Sequence, residues 1–304
     1  MNKVLSFFLL LFFTVQFFGQ NDAKLSIFNL NQMNFNPAYA GASDGLNVIG
    51  IYSNQWLGFE GAPKTQYLAI DSNLENRKIG IGFNLNSDQS GASLATNLES
   101  NFSYTVTINS KIKTTFGAKV GYSLNKIDLN LLNRLQPEEA VFGYDKLYSN
   151  TLILGAGLNI FTDNFFIGFS SPNFLTKKYY DPSFRSIIAS NRNLFYTTIG
   201  YKFVLNREYS LTPTLLTRAA AGSRISTIAS LNLNWQEKLL TGINLEYDAS
   251  IGAYFAINAY KGIKVGYGYD RSLRKFNQYN NGSHTFFINY YLENNNSKKC
   301  SCKL

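Results

Sequence analysis

The chain has 304 residues, with 28 Lys and Arg against 19 Asp and Glu and a formal net charge of +9. Charged residues make up only 15%, below the roughly 25% of ordinary soluble domains, and aromatic residues contribute another 15%. After residue 18 no apolar run approaches the ~18–20 residues of a membrane helix, so a helical membrane protein is excluded. A membrane β-barrel is not excluded, because its two strand faces average out in hydropathy.

The chain opens MNKVLSFFLLLFFTVQFFGQND. One cation, Lys3, precedes an apolar run over residues 4–18 interrupted by Ser6, Thr14 and Gln16, and Gly19-Gln20 follows. This is the layout of a secretory signal peptide, with cleavage expected near Gly19 or Gln20, so residues 1–19 are set aside. The mature chain is then an exported one. Its cations are scattered rather than striped, and nucleic acid is not an expected partner.

Residues 20–45 come next and contain NFNPAYAG (residues 34–41), which has neither helix nor strand periodicity. Pro37 removes a donor and biases Asn36 toward extended backbone, while Gly41 permits a positive φ. The expectation is an ordered N-terminal segment that plugs or caps one mouth, with Phe35 and Tyr39 against inward-facing barrel residues.

From Leu46 the sequence alternates with period two. In KIGIGFNLN, Ile79, Ile81, Phe83 and Leu85 share one face, and Gly80, Gly82, Asn84 and Asn86 share the other. Ile243, Leu245 and Tyr247 likewise oppose Gly242, Asn244 and Glu246, and Val265, Tyr267 and Tyr269 oppose Lys264, Gly266, Gly268 and Asp270. Strands are predicted at 46–57, 64–74, 78–86, 92–108, 111–124, 150–160, 163–170, 193–205, 209–218, 224–235, 238–248, 250–259, 262–271 and 284–292. These are about fourteen segments, mostly of the ~9–11 residues that cross a bilayer.

Alternate links are tight, at Asn76, Asn109, Thr162, Asn206, Gln236 and Tyr260, whereas the intervening ones are mostly longer, as at 125–149, 171–192 and 272–283. Outer-membrane barrels sort short periplasmic turns from longer external loops in this way. The fold expected is all-β, a single antiparallel up-and-down transmembrane barrel over 46–292 with a polar tail at 293–304. Tyr122, Tyr201, Phe203, Trp235, Tyr290 and Tyr291 suit interfacial girdles, and Gly, Ser, Asn and scattered charges suit the lumen. Pro213, inside YSLTPTLLTR, calls for a bulge or a strand start.

Catalytic chemistry finds little support. The single histidine, His284, adjoins Ser283, and neighbours on a strand point to opposite faces, so they form no His–Ser pair. Cys300 and Cys302 are too close for an easy disulfide and too few for a metal cage. Glu246 with Asp248, and Asp270 with Lys264, read as lumenal charges. Gly155-Ala156-Gly157 and Gly266-Tyr267-Gly268 sit inside strands and lack the helix a phosphate loop needs. No cofactor, metal or enzymatic activity is expected. Among the loops, 129–145 suits a short helix, and 171–186 is aromatic and basic enough for protein contact.

Together NFNPAYAG, QWLGFEGAPKT (55–65), LTPTLLTR (211–218), VGYGYD (265–270) and NGSHTFFINY (281–290) resemble, in this order, the PorP/SprF family of type IX secretion outer-membrane proteins. The residues that carry the resemblance are Asn36, Pro37, Ala38, Gly41, Gln55, Trp56, Gly61, Pro63, Pro213, Arg218, Tyr267, Asp270, Gly282, Ser283 and His284. The family often has Glu after that His, where this chain has Thr285, and commonly Ser where it has Thr214. The resemblance implies a barrel working with periplasmic ring and motor proteins, a peptidoglycan-associated partner and secreted adhesins with C-terminal sorting domains. A porin or hydrophobic-substrate channel is the alternative, and an outer-membrane hydrolase a third reading.

Overall fold

The structure, a computed structural model, describes residues 27–74, 78–131, 146–175, 178–181, 186–190, 193–220 and 223–293. The expected signal peptide, the two cysteines and all of 132–145 lie outside the described residues. Of the helix expected over 129–145, the structure describes a 3₁₀ turn at Leu129–Leu131.

The barrel strands are β1 (Gly45–Asn54), β2 (Lys64–Asn73), β3 (Ile79–Ser90), β4 (Ser93–Thr107), β5 (Lys113–Asp128), β6 (Lys146–Phe161) and β7 (Phe165–Ser171). A small hairpin, β8 (Lys178–Asp181) and β9 (Ser186–Ser190), stands apart as its own sheet. The barrel resumes with β10 (Leu194–Tyr201), β11 (Phe203–Val204), β12 (Tyr209–Ala220), β13 (Ser226–Trp235), β14 (Leu239–Glu246), β15 (Ser250–Tyr260), β16 (Ile263–Ser272) and β17 (Ser283–Glu293). Each strand pairs antiparallel with its neighbour in sequence, β1 closes on β17 from Gly45↔Glu293 to Asn54↔His284, and β10 pairs with β12. β10 and β11 are one strand interrupted at Lys202, so the barrel is closed and fourteen-stranded. Closure leaves no unpaired edge, the condition a sheet must meet in hydrocarbon.

One mouth carries the short turns and both ends of the barrel. Its turns are built by specific residues: Asn109 Oδ1 accepts from the Lys111 and Ile112 amides at 2.9 and 2.8 Å, and Asn206 Oδ1 from Glu208 and Tyr209 at 2.8 and 2.9 Å. Gln236 and Glu237 both take positive φ, 48° and 56°, which matches the twist of a two-residue hairpin. The opposite mouth carries the long links 55–63, 129–145, 172–193 and 273–282, the five-residue link 221–225, and tight turns at 91–92 and 247–249.

Strand faces follow the alternation. Phe83, Leu98, Phe102, Phe116, Ile243 and Phe286 are exposed on the outside, while Gly80, Asn84, Asn101, Gly242 and Asn244 are buried within. Three details differ from the sequence reading. β5 and β6 extend to Asp128 and back to Lys146, each 16 residues long, because 123–128 and 146–150 mix apolar and polar residues without a clean period of two. Tyr291 belongs to the inward set and donates to the Asp44 carbonyl at 2.6 Å, so it is not part of an outer girdle.

The third difference concerns Pro213, which sits mid-strand without a bulge. The ladder from β12 to β13 is continuous, but that to β10 and β11 lapses between Gly200↔Thr214 and Phe203↔Leu211. The missing N–H thus faces the break at Lys202, whose own amide bonds the Asn164 carbonyl at 2.7 Å.

The lumen is less polar than the alternation suggests. β1, β2, β15 and β17 turn Ile49, Ile51, Tyr67, Ala69, Tyr254 and Phe287 inward, into a cluster with Ile27, Met33, Tyr39 and Ala40. The sequence signal is VIGI in β1, apolar on both faces, as for a strand buried on both sides.

The outer belt makes a direct demand on stability. Phe83→Arg, on the outer face of β3, is expected to destabilise the folded barrel by about 2–4 kcal/mol in bilayers. Urea unfolding in liposomes measures it, with Lys111→Arg on a short turn as a neutral reference.

Candidate functional site

Residues 27–41 form the first of two clusters. A 3₁₀ turn (Phe28–Leu30) leads into a single helical turn (Gln32–Phe35), which ends because Pro37 holds Asn36 extended, at φ −133° and ψ 106°. Asn36 then caps a second 3₁₀ turn, Pro37–Tyr39: its Oδ1 accepts from the Ala38 amide at 2.9 Å, and Pro37 takes the first helical position. Gly41 ends the run with φ +64°; a Cβ there would lie 2.7 Å from the Gly80 Cα and the Ser72 carbonyl oxygen.

This segment fits the lumen because the wall opposite it lacks side chains. A Cβ on Gly80 would collide with the Ala40 carbonyl, on Gly82 with the Met33 sulfur, on Gly117 with the Pro37–Ala38 peptide, and on Gly157 with the Asn36 side-chain oxygen. Gly168 completes the cradle, 3.1 Å from Asn36 Nδ2 at its would-be Cβ. Phe35 stacks at 5.4 Å on Tyr196, inside a second apolar cluster with Phe28, Leu216 and Ile228. Tyr39 is buried among Ile49, Tyr67 and Phe287, and burial holds its phenol far above the ordinary value.

The wall meets several of the segment's polar groups, although the Tyr39 hydroxyl and Asn31 Oδ1 are buried without a hydrogen-bond partner. Asn29 Nδ2 donates to Ser230 Oγ at 2.9 Å, Ser103 Oγ to the Ala40 carbonyl at 2.7 Å, and the Gly41 amide to Asp71 Oδ2 at 3.0 Å. Lys119 Nζ donates to the Asn34 carbonyl at 2.6 Å and to Glu99 Oε2 at 2.5 Å, with Asn84 Nδ2 on the same carboxylate oxygen at 3.1 Å. The Lys119 side chain has no solvent exposure and that of Glu99 only 8%. Sequence reasoning missed this pair. Its signal is a charge on the lumenal face of adjacent strands, Glu99 and Lys119 lying one step apart in register, where Glu99 pairs with Gly121.

The second cluster lies at the long-loop mouth, between β1 and β17. Gln55 is buried and its amide bonds the Pro63 carbonyl at 2.9 Å, closing the 55–63 loop at its base. Trp56 takes φ 48°, a strained region for a residue with a Cβ. The strain is held by the Trp56 amide on Ser283 Oγ at 3.3 Å and by reciprocal bonds, Leu57 to Gly282 and Asn281 to Leu57, both 2.8 Å. Gly61 accepts from the Gly91 amide at 2.9 Å, tying this loop to the β3–β4 turn. Asp270, buried and inward, stands opposite Ser283 in register.

His284 points the other way. Its Nδ1 lies 2.7 Å from Tyr267 Oη on the outer face, with Tyr269 edge-on at 5.2 Å. Ser283, buried at 1% exposure, faces the lumen, so the two adjacent residues form no nucleophile pair. Asp248 has left the strand for a positive-φ turn and pairs with Arg224, so it does not share the lumen with Glu246, which holds Ser226. Pro213, on β12, lies apart from both clusters, whereas Arg218 on the same strand stands opposite Tyr196, the ring beside Phe35.

The buried ion pair makes a sharp prediction. Lys119→Met leaves Glu99 desolvated without a partner and is expected to cost about 3–5 kcal/mol, whereas adding Glu99→Gln recovers most of the loss. Urea unfolding of the single and double variants measures it.

Known proteins place this barrel. The CymD monoaromatic hydrocarbon channel superposes with a TM-score of 0.52 at 12% identity, covering 87% of this chain and 93% of that one. The Acinetobacter baumannii outer membrane protein Omp33 gives 0.50 at 8% identity, covering 83% and 100%. These likenesses concern the fold. No curated protein matches the sequence. The family described as type IX secretion system membrane protein PorP/SprF matches over residues 17–290, which include both clusters. The chain therefore belongs to the PorP/SprF family of type IX secretion system membrane proteins.

Proposed function

We propose that this barrel is a non-enzymatic component of type IX secretion in the outer membrane, helping to export or anchor surface adhesins with C-terminal sorting domains. The observation that carries the reading is family membership across nearly the whole chain, combined with a lumen occupied by residues 27–41. A protein whose bore is filled acts through its surfaces. The long-loop mouth, with loop 55–63 pinned to 281–283, is the face we assign to cargo outside the cell. The short-turn mouth, where β1 begins and β17 ends, is the face we assign to the periplasmic ring and motor proteins and a peptidoglycan-associated partner.

On this reading the mature chain begins after a signal peptide of residues 1–19, both termini are periplasmic, and residues 27–41 act as a plug. The channel reading predicts a different molecule. The apolar clusters and the Lys119 and Ser103 bonds to the segment's carbonyls favour a bore closed at rest.

Two experiments separate the readings. Affinity purification of the tagged protein from detergent-solubilised outer membranes is expected to bring down secretion-system ring proteins, and their absence would sink the proposal. In planar bilayers the intact protein is expected to conduct little, and deletion of residues 27–41 to raise the conductance at least several-fold. High conductance by the intact protein would favour the channel.

A further inference from the structure

The long-loop rim above β13–β16 gathers cations at the top of the outer face. Arg224 Nη1 meets Asp248 Oδ2 at 2.7 Å, and Arg274 reaches the same carboxylate oxygen at 3.8 Å and the Asp248 carbonyl at 2.7 Å. Arg271 Nε donates to Asn277 Oδ1 at 3.1 Å, and Lys275 is exposed in the next turn of chain. The guanidinium of Arg224 also lies 5.9 Å above the Tyr247 ring. Arg224 and Arg274 keep about 60% of their side chains in solvent, and one carboxylate serves both, so positive charge is in excess.

Position along the strands gives this patch its meaning. Outward-facing residues rise on β16 from Tyr267 through Tyr269 to Arg271, and on β14 from Ile243 to Leu245, with exposed Tyr247 in the turn just beyond. Ile251 stands beside Arg271 in register and is half exposed. Apolar side chains, then tyrosines, then arginines on one outer face match the passage from acyl chains through the interface to the headgroups. Charges aimed at the lumen or at a soluble cargo would not need to continue the lipid-facing rows.

We propose that this corner of the rim binds the phosphorylated headgroup of a membrane lipid, one bearing a phosphomonoester. Arginine forks match phosphate oxygens bidentately, and a phosphomonoester carries about −1.5 to −2 charge near neutral pH, enough to compete with the exposed Asp248 for two guanidinium groups. The lipid's acyl chains would then lie along Ile251 and Leu245. This requires only that the barrel sit in a bilayer, and it stands or falls separately from the secretion reading.

The test uses the mature protein in neutral detergent, titrated by native mass spectrometry with phosphatidic acid, phosphatidylglycerol and inorganic phosphate. Phosphatidic acid is expected to bind best, R271Q/R274Q to weaken it roughly tenfold, and D248N to tighten it. K111Q/K261Q, at the opposite mouth, is expected to leave it unchanged. Heat-modifiable gel mobility shows that R271Q/R274Q remains a folded barrel, and D248N, which moves affinity in the opposite direction, guards against misreading a damaged variant. Unchanged binding in R271Q/R274Q would overturn the proposal, as would equal loss in K111Q/K261Q, which would mean attraction to net charge alone. Inorganic phosphate binding as tightly as phosphatidic acid would overturn the lipid and leave a free-anion site.

Discussion

In hydrocarbon an unpaired peptide N–H or C=O costs several kcal/mol, and a sheet can avoid that cost only by closing on itself. Everything else in this protein follows from that closure. The β1–β17 ladder runs unbroken from Gly45↔Glu293 to Asn54↔His284, so chain ends far apart in sequence are neighbours at one mouth. Pro213 shows how tightly the constraint is managed. Its missing donor coincides with the lapse between β10 and β11, where the neighbouring Lys202 amide turns instead to the Asn164 carbonyl.

Closure creates a second problem, a bore too wide for wall side chains alone to fill. Two solutions are used on different sectors. Across β1, β2, β15 and β17, large inward side chains such as Tyr67, Tyr254 and Phe287 fill the space. Across β3 to β7 the wall is stripped to Gly80, Gly82, Gly117, Gly157 and Gly168, and the backbone of residues 33–41 lies directly against it. A segment buried that closely brings its own carbonyls up against the wall. Lys119, Ser103 and Asp71 answer them and the Gly41 amide. Glu99 exists in this scheme to neutralise Lys119, and neither charge would be tolerable without the other.

The residues that carry the sequence resemblance divide by their place in the fold. Asn36, Pro37, Ala38 and Gly41 shape the segment inside the bore. Gln55, Trp56, Gly61, Pro63, Gly282 and Ser283 lock one long loop to the base of another, and a positive φ at Trp56 is the local cost of that lock. His284 and Tyr267 stand outside the wall as an interfacial pair. One cluster thus lies within the bore, against β3 to β7, and the other at the long-loop mouth between β1 and β17.

The period-two alternation, the length of the strands and the parity of the links were readable directly, because each is a local consequence of a wall with lipid on one side. The barrel and its strand number came from these alone. The tops of β5 and β6 escaped, since Leu124 and Ile127 fall on opposite faces there, as do Leu147 and Tyr148, and the period that marks a strand disappears. Phe35 and Tyr39 could be suspected as inward-facing, yet nothing along the chain announces that Gly117 or Gly157 faces Pro37 or Asn36, or that Lys119, paired with Glu99, donates to the carbonyl of Asn34. Those contacts join residues some 60 to 120 positions apart. A strand's pattern reports which medium each face meets, but which segment occupies the lumen is decided only when closure brings opposite walls within reach of it.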